Sequence, residues 1–171
     1  MPLAVGKRYL KEAILLNNNR NTKIHALCLA NEAEGHEIRN KVIQASIGAK
    51  GISFIRGTVV PAQEAHVFEG FMDFLSAVVI RGKVFEGDVI ILNSAACLPQ
   101  AFPYLREYTY KKLHSWLDND NAGMSATKTL KEFADAQGYE FEARNDLYAP
   151  YKDVNKWHTE TLKTGKKPTF N

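Results

Sequence analysis

Apolar and polar positions fall into two regimes along the chain. Up to about residue 50 the apolar stretches are short and interrupted by polar runs. Their spacing predicts a helix from Val5 to Leu16, stopped by the polar run Asn17 to Asn21, and then a strand from Ile24 to Leu29. Asn31 to Gly35 reads as a turn, His36 to Asn40 as the returning strand, and Ala49 to Ile55 as a further strand. From about Ala65 onward, short apolar runs alternate with helix-like patterns. Strands are expected at His66 to Phe68, Asp88 to Leu92, Lys112 to Leu117 and Tyr139 to Ala143. Helices are expected at Phe71 to Ile80, Leu98 to Tyr108, Met124 to Gln137 and Asp153 to Lys163, with Gly138 ending the third. Such alternation predicts an α/β fold with a mainly parallel sheet flanked by helices. The chain then divides into a small N-terminal α+β hairpin-bearing subdomain, residues 1–60, and a larger unit, residues 61–171. The tail from Lys163 to Pro168 reads as frayed or disordered.

Composition changes this picture little. The 171 residues are 45% hydrophobic and 24% charged, ordinary for a globular protein. No apolar run approaches the ~20 residues of a membrane span, and the first eight residues do not form a secretory signal. A cytoplasmic protein without a membrane partner is expected. Cys28 and Cys97 share no zinc-type spacing. A net charge of +3 neither establishes nor opposes nucleic-acid binding.

Chemistry concentrates where strands end. Glu69-Gly70 follows the strand ending at Phe68, and Asp118-Asn119-Asp120 follows the one ending at Leu117. Ligands of open α/β sheets bind outside the carboxyl ends of the strands. Carboxylates facing solvent there suit a hard divalent cation carrying a phosphate ligand. Asp118 and Asp120 can aim at one cation, and the helix start at Asn121-Ala122-Gly123 favours a phosphate. The plainer reading is an N-cap. Glu69 at an equivalent strand end makes a shared metal site the better reading. Tyr151-Lys152-Asp153 offers a third cluster, with Asp153 as ligand or cap and Lys152 as a point charge for phosphate. Ser94, after the strand ending at Leu92, is a phosphate contact or polar turn filler. The five histidines are scattered singly, and His66 and His114, inside strands, read as structural. P-loop, nucleophile-elbow and dinucleotide-binding motifs do not occur.

Three stretches together resemble the Toprim domain, the metal-binding α/β module of bacterial primases, topoisomerases and related nucleases. They are Val67 to Asp73, with its Glu69-Gly70-Phe71-Met72-Asp73 run, Leu117 to Gly123, and Tyr151 to Asn155. Ala30 to Asn40 is similar to the hairpin preceding that domain in primase-like proteins of mobile elements. The resemblance implies Mg²⁺ (or Mn²⁺) held by Glu69, Asp118 and Asp120, with Asp153 as an outer or second-metal ligand. It implies that Glu69, Asp118 and Asp120 are catalytic, and that Lys152 lies near phosphate. Asn155 departs from the pattern, standing where primases often carry a second acid. No zinc-binding cysteine cluster is present, so a fragment or shortened relative of a larger protein is expected.

The function so implied is that of a primase-like protein performing Mg²⁺-dependent phosphoryl or nucleotidyl transfer on DNA, RNA or nucleotides. It would work within a replication or mobile-element assembly, with a helicase or other replication proteins as partners. The alternative is a non-catalytic nucleic-acid-binding module, with Lys41, Lys50, Arg56, Lys128 and Lys131 holding DNA. A phosphatase of the Asp-x-Asp type ranks last, because the motif lies late and Asp120 is followed by Asn121 and Ala122.

Overall fold

The computed structural model describes residues 1–17 and 21–170, which form two sheets. A short helix, α1 (Leu3–Tyr9), leads into strands β1 (Lys11–Asn17), β2 (Thr22–Ala30), β3 (His36–Arg39) and β4 (Gln44–Ile47). These four form an antiparallel sheet in sequential order. The expected helix over Val5 to Leu16 is therefore corrected. It stops at Tyr9, Leu10 is extended, and the remainder pairs with β2 from Lys11↔Cys28 to Asn17↔Thr22. Of the polar run expected to end it, residues 18–20 lie outside the described residues. Pairing with a strand wins over local spacing, which for a short apolar run fits either period. The turn before β3 forms as expected: Asn31 Oδ1 accepts the amides of Ala33 and Gly35. A side chain on Gly35 would collide with the Ala49 carbonyl.

The second sheet runs β5 (Ser53–Ile55), β7 (Asp88–Ile91), β6 (Glu64–Phe68), β8 (Lys112–Trp116), β9 (Glu140–Ala143) in spatial order. Its last four strands are parallel, as the alternation implies, and β5 is antiparallel at one edge. The expected strand from Ala49 thus shortens to β5, which joins the larger sheet although it precedes the expected boundary at residue 60. Helices α2 (Phe71–Arg81), α3 (Leu98–Glu107), α4 (Asn121–Gln137) and α5 (Val154–Lys163) cover both faces. Alternate strand residues point to opposite faces. Val67, Ile90 and Leu113 pack with Leu105 of α3 and Leu130 of α4, while Phe68, Ile91 and Trp116 pack with Phe74 of α2 and Val154 of α5. Each such fully buried side chain contributes about 1.5–3 kcal/mol. Gly138 ends α4 in the left-handed conformation, at φ 72°.

The C-terminal tail has no regular structure, yet it is not simply frayed. Phe170 packs edge-on against Trp116, with ring centroids 5.1 Å apart, and beside Trp157. Among the described residues, no helix is long and apolar enough to cross a membrane.

Candidate functional site

β6 and β8 are hydrogen-bonded neighbours, with Phe68 opposite Trp116. The turns that follow them therefore emerge together at the carboxyl edge of the sheet. The Asp118 amide donates to Glu69 Oε2 at 3.3 Å, joining the two acidic turns directly. Gly123 lets the first turn of α4 close onto this edge, since a Cβ there would collide with the Asp118 backbone.

The carboxylates are not simply solvent-facing, as the sequence suggested. Asp118 is only 7% exposed, and burial pushes its carboxyl up against the opposing pull of Lys152. Glu69 is also raised, first by burial and then by the charge of Asp118. Asp120 moves the other way, held down by the Gly123 amide and by Lys152. Its Oδ1 accepts the Ala122 and Gly123 amides, so the capping role is real. Its Oδ2 is left to face Lys152 at 3.0 Å, so capping occupies one oxygen and leaves the other toward the cleft. Lys152 Nζ also lies 3.1 Å from Asp118 Oδ2. One ammonium thus sits between the two aspartates.

Asp153 likewise serves twice, accepting the Lys156 amide at 2.6 Å as the cap of α5 while lining the cleft. Asn155, the departure from the primase pattern, turns its carbonyl oxygen to the Ser76 hydroxyl. Ser94 lines the cleft as well. Lys128 is not brought there: it lies exposed on α4 beside Glu132.

Two contributors were missed in the sequence. Asp73 stands four residues after Glu69, one turn into α2, a spacing that puts it beside the turn. It is buried, accepts the Asn155 amide at 3.0 Å, and has its carboxyl pushed well up by burial and by Asp153. Asn119 ties the second and third acidic turns together, donating through Nδ2 to the carbonyls of Asn145 and Tyr151. The resulting cleft, about 270 Å³, is closed on its far side by Glu37, Arg39 and Gln44 of the N-terminal sheet.

Two of the histidines, scattered singly along the sequence, come together in the fold. Register across β6 and β8 sets His66 against His114, with rings stacked at 4.3 Å. Glu64 Oε2 lies 3.0 Å from His114 Nε2 and 3.9 Å from His66 Nε2. Ligand-type atoms of these three residues lie within 4.8 Å of one another. However, the Trp116 indole can only donate, and it points at His66 Nδ1 from 3.3 Å. The neutral His66 ring then carries its proton on Nε2, which at 3.9 Å is too far from Glu64 to bond it, so within this trio only Glu64 and His114 are hydrogen-bonded.

The acid cleft fits a hard divalent cation better. Lys152 already marks a cationic position between Asp118 and Asp120, and the carboxyls of Glu69 and Asp73 are raised by burial first and by neighbouring acids second. Mg²⁺ keeps most of its waters and requires only one or two protein carboxylates.

The fold is shared with solved primase structures. The primase fragment of the bacteriophage T7 primase-helicase protein aligns with a TM-score of 0.56 at 16% identity, over 90% of this chain and 63% of that one. A DNA primase domain from Pseudomonas aeruginosa gives 0.52 at 14% identity, over 83% of this chain and 50% of that one. The Aquifex aeolicus primase, comprising its zinc-binding and RNA polymerase domains, gives 0.54 at 18%, over 94% and 43%. The chain thus spans less than two thirds of the length of each of these structures. At such identities the likeness is one of fold. Among curated proteins, none matches the sequence. The profile of the Toprim-like family, Toprim_2, matches residues 66–158, more than half of the chain and all three acidic turns. The chain belongs to the Toprim-like family.

Proposed function

We propose that this chain is the Toprim unit of a primase-like protein, carrying out Mg²⁺-dependent phosphoryl or nucleotidyl transfer on nucleic acid or nucleotides. The observation that carries the reading is the placement of Asp118 and Asp120 around one cationic point, with Glu69 bonded to the Asp118 amide. In this reading Asp118 and Asp120 would hold the cation, with Asp153 and Asp73 as further acids lining the same cleft. Bound there, Mg²⁺ supplies orientation and charge neutralisation for the phosphate oxygens. Glu69, raised by burial and by Asp118, is suited to take and return a proton at the attacking hydroxyl. Lys152, whose ammonium lies between the two aspartates, would serve as a donor to a phosphate oxygen. Ser94 and the amides at the start of α4 offer further donors to phosphate.

In this reading residues 1–60 wall the cleft and residues 61–171 carry the chemistry, within a larger cytoplasmic replication or mobile-element assembly. The structural relatives support such an assembly: one shows primase domains of T7 subunits bound to an RNA/DNA hybrid and dTTP, and interacting with a DNA polymerase. A helicase partner would follow the T7 primase-helicase arrangement.

The test is calorimetric titration of Mg²⁺ and Mn²⁺ into the wild type and into an Asp118→Asn/Asp120→Asn variant. Saturable binding lost in the variant supports the reading, and primase and nuclease assays follow. Binding absent from both, or equal in both, would leave a nucleic-acid-holding module without metal chemistry.

A further inference from the structure

On the α2/α5 face of the sheet, at the other end of α2 from the acid cleft, lies a second cavity, of about 470 Å³. It shares no lining residue with that cleft. Its floor is the buried edge of His66 and Trp116, and Phe170 of the tail closes one side. Among the described residues its charged lining is cationic: Arg81 at the end of α2, Lys83 just beyond it, and Arg144 after β9.

The two guanidinium groups are held in place but incompletely partnered. Arg81 lies over the Phe85 ring at 4.2 Å, and among the described residues it makes no hydrogen bond or ion pair. Arg144 lies over the Trp116 ring at 5.7 Å, bonds Glu142 through Nη1 at 2.8 Å and meets His114 Nδ1 through Nη2 at 3.3 Å, while its buried Nε–H finds no acceptor among the described residues. Burial and the neighbouring charge of Arg144 both depress the Arg81 guanidinium, opposed by Glu86 and Glu64 outside the cavity. Folding two like charges together in a half-buried pocket is costly unless an anion joins them.

We infer that this cavity is a second, metal-independent binding site for a phosphate group carried by a nucleotide or a nucleic-acid strand. Arginine presents a rigid fork of donors matched to phosphate oxygens, and aromatic support fixes its plane. The Arg81 fork supplies the open donors, Arg144 adds a second guanidinium charge to the lining, and Lys83 adds a third charge at the mouth. The volume is that of a small-molecule pocket, larger than a bare phosphate needs. This inference does not depend on the chemistry proposed for the acid cleft.

The test uses the Asp118→Asn/Asp120→Asn protein in EDTA, which disables the acid cleft. Its tryptophan fluorescence is titrated with inorganic phosphate, ATP and a 5′-phosphorylated oligonucleotide. Saturable binding is expected, weakened about tenfold or more by Arg81→Gln with Lys83→Gln, the loss typical of charge-assisted bonds. Arg144→Lys keeps the charge but removes the fork, and it is expected to weaken binding as well. Tightest binding by ATP identifies a free nucleotide as the source of the phosphate, and tightest binding by the oligonucleotide identifies a strand end. Absence of saturable binding by all three probes overturns the inference, as does unchanged affinity in both folded variants, folding being checked by thermal melting.

Discussion

At the scale of single residues, Lys152 and the acids it bridges carry the sharpest consequences. Its ammonium occupies the point a divalent cation would take, so the two compete. A unit charge about 4 Å away in water-like surroundings is worth about 1 kcal/mol. Lys152→Met is therefore expected to tighten Mn²⁺ binding roughly five- to tenfold while lowering any nucleotide-dependent activity. Weaker Mn²⁺ binding in calorimetry would instead make Lys152 an organiser of the aspartates. His66 and His114 set a separate pH dependence. Burial lowers both; His114 and then Arg81 and Arg144 add to it at His66, and at His114 the Glu64 bond opposes it. Both rings are neutral in the fold, while the unfolded chain takes up protons below its ordinary histidine value of about 6.5. Their stabilisation is complete above that value and is lost as pH falls from there toward the depressed folded values. The expected slope is up to about 1.4 kcal/mol per pH unit for each ring. Urea unfolding at pH 7.5, 6.5 and 5.5 checks it, and His114→Gln should flatten the slope.

At the scale of elements, the start of α4 separates two roles of one side chain. Asp120 caps the helix with Oδ1 and faces the cleft with Oδ2. Asparagine caps as well as aspartate does, whereas alanine loses about 1 kcal/mol. Asp120→Asn is expected to match the wild type in stability within ~0.5 kcal/mol but to lose metal affinity. Asp120→Ala should lose both, and equal melting of the two variants would remove the capping role. The start of this helix was legible because Asp, Asn and Gly follow an apolar strand, and the same grammar marked Glu69-Gly70 before α2. The segment after Tyr9 was not legible in this way. Val5, Tyr9, Ala13 and Leu16 fit a helical spacing, yet residues 11–17 form an edge strand whose Ile14 and Leu16 remain exposed. Its partner, β2, lies beyond a turn, and single-chain periodicity carries no record of that pairing.

At the scale of the whole molecule, the sheet order explains what sequence could and could not show. The first two acidic turns follow the order strand, acid, helix, so their convergence at one edge follows from parallel topology, while the third lies ten residues beyond β9 and is tied in by Asn119. The stacking of His66 on His114 needs the register of two strands separated in sequence by all of α2, β7 and α3. The far wall of the cleft, with Glu37 and Arg39, comes from the other sheet, and the basic cavity draws on residues from 66 to 170. Neither has a local signature. The same assembly predicts how stability responds to metal. Glu69, Asp73 and Asp118 are raised by burial and then by neighbouring acids, a cost present in the folded chain and absent from the unfolded one. A cation that binds only the folded state stabilises it by mass action, about 2.7 kcal/mol at one hundred times its Kd. For a chain of this size that corresponds to a rise of roughly 5–10 °C in Tm. The rise should appear with Mg²⁺ or Mn²⁺ in thermal melts, vanish in Asp118→Asn/Asp120→Asn, and survive His66→Leu. An equal rise in the aspartate variant together with its loss in His66→Leu would move the cation from the acid cleft to the Glu64, His66 and His114 cluster.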